Sequence, residues 1–225
     1  MKKLFTLLAL ICLFNISAQI STGNTNNSGT YSSAIGFQTS AVGDYSTAMG
    51  YNTTSSASYC TAMGYATTAS GSTSTAMGVN TTASGDGSTS LGNQTIASAN
   101  NSSAMGASTT ASGEVSTAMG YATTANGSTS TSMGLSTMAN GEVSTAMGLG
   151  TTANGSISVA MGRNTTASDY GSLVIGQYNS SGSTITTSST AFSTSNTAFV
   201  IGNGTLGNLS DAFKVMFNGD ASVSN

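Results

Sequence analysis

The sequence predicts an all-β solenoid, a thin rod of stacked coils of fourteen residues each. Three observations carry this. Glycines stand at 36, 50, 64, 78, 92, 106, 120, 134, 148, 162 and 176, at one spacing and without an insertion. Small residues recur between them with the two-residue alternation of strands rather than the period of a helix. Large aliphatic side chains are too scarce for a thick core, since Leu, Ile, Val and Phe make up about one residue in six. Such a composition alone would suit a disordered tract. The strict period, the 5% of charged residues and the absence of Pro argue against that.

The first element along the chain is a secretory signal over residues 1–18. Lys2 and Lys3 form its basic start, Leu4 to Phe14 its apolar stretch, and Ile16-Ser17-Ala18 a small-residue cleavage site before Gln19. Cys12 does not fit a lipoprotein signal, because Ile11 precedes it where a small residue is needed. The protein is thus expected outside the cell, secreted or at the cell surface. No later stretch reaches the roughly 18 apolar residues of a membrane span. Without the signal, two basic residues (Arg163 and Lys214) face seven acidic ones, which speaks against nucleic acid as a partner.

A short lead-in (19–27) precedes the coils, which are expected over residues 28–182. Fourteen residues are too few for a helical hairpin and suit two short strands with two turns. The periodic Gly, together with pairs such as Ser70-Gly71 and Asn126-Gly127, is expected to serve the turns. Comparison among repeats marks the interior. Four residues before each Gly stands Ser, replaced once by Cys60. Two before stands Ala, or Ser at 90 and 132, and Val at 174. Three after stands Thr, from Thr39 to Thr165, and five after mostly Ala. These positions share strand parity within each arm and face a narrow inside. Cys60, the single cysteine after the signal, is a buried filler there.

The residue just before each Gly is always apolar and has the opposite parity. Ile35, Met49, Met63, Met77, Leu91, Met105, Met119, Met133, Met147, Met161 and Ile175 therefore form an outward ladder. At about 4.8 Å per coil the rod is on the order of 50 Å long. A monomer would leave this apolar ladder in water, so it predicts self-association in register about a common axis.

The Ser-x-Ala-Met/Ile-Gly unit at a period of fourteen resembles the head repeats of trimeric autotransporter adhesins. That resemblance implies a left-handed parallel β-roll, a homotrimer with the ladder as trimer interface, and an adhesin that binds extracellular matrix, glycan or other cells. Thr stands where the family usually has Val before the Ala, until Val159 and Leu173. Residues 183–225 carry no heptads and no set of alternating barrel strands. The tail (183–225), with Thr197-Ala-Phe-Val-Ile-Gly and Asp211-Ala-Phe-Lys-Val-Met-Phe, resembles segments that lie ahead of a C-terminal intramolecular chaperone, and is expected to continue into a further domain.

Few residues invite chemistry. The chain has no His, so the usual zinc sites and a Ser-His-Asp triad are excluded. A Ser-Lys pair would need Lys214, which lacks a plausible base environment, so no enzyme and no cofactor is expected. Gly202-Asn-Gly-Thr-Leu-Gly207 matches the dinucleotide fingerprint literally, yet no βαβ unit can follow it, and a hairpin turn explains it. Asp44, Asp86, Glu114 and Glu142 share one phase of the repeat. The last three are two coils apart, about 10 Å, too far to share a calcium ion, and read as solvated turn charges. Phe37, Tyr51, Tyr65 and Tyr121 follow the Gly on an outward position and are candidate ligand contacts, with packing between neighbouring coils the alternative. The outer Thr row (Thr54, Thr68, Thr82, Thr110, Thr124, Thr152, Thr166) resembles the arrays of ice-binding solenoids, but Ile96 and Met138 interrupt it. A passive spacer or fibre shaft is the main alternative to adhesion.

Overall fold

The computed structural model describes residues 23–224, so the signal assigned to residues 1–18 lies outside the described residues. Every regular element described is a β-strand. Each repeat contributes one five-residue strand and one two-residue strand, from Ser33–Phe37 and Ser40–Ala41 to Val159–Arg163 and Thr166–Ala167. Long strands stack on long strands and short on short, all parallel and in strict register: Met49 pairs with Met63 and Thr54 with Thr68. The solenoid is thus two parallel sheets, one of long and one of short strands, joined through turns at both borders.

Between the sheets lies a single layer of side chains. From Ala34 to Val174 the predicted inward positions are buried, for example Ser116, Ala118, Thr123 and Ala125 in one coil, while Ser32 at the N-terminal edge is partly open. Only small residues fit because the two backbones are so close. Where Ser replaces Ala, its hydroxyl meets the Thr of the opposite sheet: Ser90 Oγ lies 2.7 Å from Thr95 Oγ1 and Ser132 Oγ 2.8 Å from Thr137 Oγ1. Thr123 in an Ala coil has no such partner for its hydroxyl. Cys60 is fully buried, with its Sγ 2.9 Å from Ser55 Oγ and 2.7 Å from the Ala57 carbonyl.

The periodic Gly does not serve a turn. It is the fourth residue of each coil's long strand, at φ near +125° up to Gly162 (Gly64, φ 126) and at φ 96 in Gly176. A Cβ on Gly64 would stand 2.0 Å from the Gly78 carbonyl oxygen of the next coil. Close approach between coils, rather than reversal of the chain, therefore demands glycine here. The left-handed turn conformation falls mostly on side-chain-bearing residues at both borders, such as Asn52 (φ 53) and Tyr59 (φ 59), with Gly at 87, 150 and 171. Backbone bonds between coils hold them there: Tyr59 N donates to the Asp44 carbonyl at 2.9 Å and Asn52 N to the Phe37 carbonyl at 2.9 Å.

After Gln177 the repeat breaks. The chain makes an irregular excursion over residues 178–196 and then returns with Thr197–Asn203, which pairs in parallel with Leu173–Gln177. Asp211–Met216 and Ala221–Val223 add to this strand in antiparallel fashion and close the long-strand sheet at fourteen strands. Val174 and Val200 are fully buried where the earlier coils have Ala. The fingerprint-like Gly202–Gly207 run lies where that strand ends, and residues 205 and 208 bridge each other, so it forms a turn. No helix among the described residues is long and apolar enough to cross a membrane.

Candidate functional site

Among the described residues no group of His, Cys, Asp and Glu is arranged to hold a metal ion. What the structure offers chemically is a pair of long ordered faces. On the long-strand face, strand alternation points four rows outward: the apolar row before the Gly, the row two residues earlier, mostly Thr, and a border row on each side. The apolar ladder occupies its predicted place. Its side chains are half-exposed in the single chain, Met77 at 39% and Met119 at 38%. Across eleven coils these four rows carry one charged residue, Arg163.

The candidate aromatics occupy one border of this face. Phe37, Tyr51 and Tyr65 stack on one another, with centroids 5.5 Å and 5.2 Å apart and planes within 18°. The faces of the Tyr51 ring are therefore covered on both sides. Tyr121 stands apart, between Ala107 and Leu135 in the neighbouring strands, and is 58% exposed. The opposite border carries a second stack that the sequence reading missed. Tyr31, Tyr45 and Tyr59 lie 5.2 Å and 5.0 Å apart, the last pair within 2° of parallel. Its signal was the same spacing of fourteen residues, one border away from the row that drew notice.

Carboxylates are kept off the long-strand face. Asp44, Asp86, Glu114 and Glu142 sit in the turn between the short and the next long strand. Two of them do more than meet solvent: Asp44 Oδ1 accepts from Thr30 N and Asp86 Oδ1 from Ser72 N, each at 2.8 Å, binding the turn of the preceding coil. The short-strand face presents the outer Thr row with a polar row beside it. There Ser112, Asn126, Asn140 and Asn154 form a chain of side-chain hydrogen bonds, 2.7, 2.8 and 2.8 Å long. Sequence reading missed this ladder too.

The architecture is that of a repeat-built parallel solenoid with long ordered faces. Models of the YadA head domain repeat match residues 28–53, 61–81, 69–95, 83–109, 97–123, 111–137 and 153–179. They span more than half of the chain, which belongs to this family of adhesin-type heads. Family membership implies exposure at the cell surface, and heads of this kind are typically not enzymes. Comparison with curated proteins gave no match.

Proposed function

We propose that the protein is the head of a homotrimeric adhesin, exported and displayed so that its outer surface binds extracellular matrix or glycan. The observation that carries the assembly is the long-strand face, apolar along its centre and charged only at Arg163. The continuous apolar row is what sets this face apart, since the short-strand face is equally poor in charge but presents mainly Thr, Ser and Asn, and an apolar centre suits an interface core. The face is about 20 Å wide at 3.3 Å per residue and about 50 Å long, roughly 1,000 Å² per protomer. A standard protein interface needs about 800 Å² per partner. Ile35, the eight Met residues, Leu91 and Ile175 then line the common axis.

Assembly through the long strands leaves the turns and the short-strand face outside for ligand. The border rows of the long-strand face form the rim of that assembly, and of the four aromatic candidates there Tyr121, 58% exposed in the single chain, keeps a ring free of aromatic neighbours and is the rim contact we carry forward. Repetition along the rod and threefold display would let weak contacts act by avidity. Light scattering of the purified chain should give three times the chain mass, and Met119→Asp with Met133→Asp should abolish it. Binding to immobilised matrix proteins and glycans should fall several-fold in Tyr121→Ala with the mass unchanged. A trimer that binds none of these surfaces would favour the passive spacer.

A further inference from the structure

We propose that the two aromatic stacks form an intermolecular clasp: the stack on one border of a protomer packs against the opposite stack of the next copy. The inference rests on the assembly through the long-strand face and adds which borders meet and where.

Both stacks span the same three coils. Tyr59 and Tyr65 bracket one long strand, Thr61–Tyr65, as Tyr45 and Tyr51 bracket the coil before. Each pair is six residues apart and so about 20 Å apart along an extended chain. Within one protomer the stacks cannot touch. Copies related by rotation about an axis parallel to the rod bring the right border of one face to the left border of the next, at equal height. Aromatic residues at both borders of the same coils are what such a closed ring requires. One stack alone, or stacks in different coils, would leave each without a partner.

The rings suit protein packing better than ligand capture. Stacking within the rail covers ring faces, so Tyr45 and Tyr51 offer edges and hydroxyls, which fit edge-to-face contact and hydrogen bonding with another stack. Tyr45 at 51% and Tyr65 at 52% exposure remain half-open to water in the single chain. No charged residue lies between the stacks in these coils. Farther along the rod the border positions turn to Thr73 and Val79 in the next coil, so the clasp belongs to the N-terminal end.

Disulfide trapping tests this. In the exported chain from Gln19 on, with Cys60→Ser, the residue other coils carry there, Tyr59→Cys and Tyr65→Cys are introduced together. The two positions are too far apart for a bond within one chain, which needs Cα atoms within about 7 Å. Mild oxidation should give covalent trimers on a denaturing, non-reducing gel, and neither single substitution should. Tyr45→Cys with Tyr51→Cys should behave alike and guards against a local fault of the first pair. Particles of trimer mass that do not crosslink would overturn the clasp and leave the assembly standing. A monomer in light scattering would overturn both. Covalent dimers that never close to trimers would keep the opposed stacks and refute the threefold ring. Crosslinking by Tyr59→Cys alone would mean antiparallel copies and would sink the proposal.

Discussion

The repeating coils up to Gln177 and the irregular end after it satisfy the same backbone by opposite means. In the coils, backbone bonds to backbone of the neighbouring coil, and apart from Cys60 and Val174 the interior needs only Ser, Ala and Thr. At the end, buried side chains take over. Asp169 is fully buried and accepts from Thr186 N at 2.6 Å and Thr197 N at 2.8 Å. Asn179 bonds both Thr166 N and the Thr166 carbonyl, in the manner of the strand that the next coil would have supplied. Asn196 does the same for Ser188. Repetition lets a chain without a thick core fold by register, and where the register stops, individually placed polar groups must replace it.

The sharpest contrast is in the glycines. Gly134→Ala would place a Cβ 2.1 Å from the Gly148 carbonyl oxygen at φ 122. Backbone strain and the clash together should cost about 3 kcal/mol or more in denaturant unfolding. At Gly219, with φ 92 and nothing within 4 Å, the same change should cost about 1–2 kcal/mol. Equal losses at the two sites would mean that coil stacking is not what demands glycine.

Next in size is the buried carboxylate. Asp169→Ala leaves two backbone donors unpaired and should lower stability by about 3 kcal/mol. Asp86→Ala, whose bond to Ser72 N is exposed, should cost under about 1 kcal/mol. Hydrogen exchange should show the loosening from Asp169→Ala concentrated over residues 178–197. A uniform rise along the whole rod would contradict the local role assigned to this side chain.

Core size separates the regions more modestly. Ala118→Val inserts two methyl groups between closely spaced sheets and should cost about 1–3 kcal/mol. Val174→Ala, where the last coil meets Val200, should cost about 2 kcal/mol for the opposite reason, a void. Thermal unfolding that tolerates Ala118→Val would show the coils less tightly spaced than the structure has them.

The smallest effect tests the polar interior. Ala118→Ser places a hydroxyl opposite Thr123, reproducing the bond of Ser90 to Thr95, and should stay within about 1 kcal/mol of the parent. Ser132→Ala removes that partner from Thr137 and should cost about 1 kcal/mol. Loss of fold in Ala118→Ser would mean that Ser90 and Ser132 depend on something other than this pairing.

The period of fourteen, the inward Ser, Ala and Thr, the outward Met row and the burial of Cys60 were all legible, because a solenoid maps sequence spacing directly onto spatial neighbours. The same logic would have revealed both the second Tyr stack and the Asn ladder. The role of the Gly was not legible: its spacing looks the same whether it turns the chain or sits in a strand beneath the next coil's carbonyl. Two points lay wholly in the tertiary structure. One is that turn carboxylates such as Asp86 bind the preceding coil. The other is that Asp169 holds the backbone at Thr186 and Thr197, while Asn179, from the excursion, pairs with Thr166 as a next coil would, an arrangement that no period announces. Sequence alone determined which residues face in and which face out, since alternation and repetition are local. How the coils press on one another and how the rod is closed at its end depended on distances between backbones, which no spacing along the chain encodes.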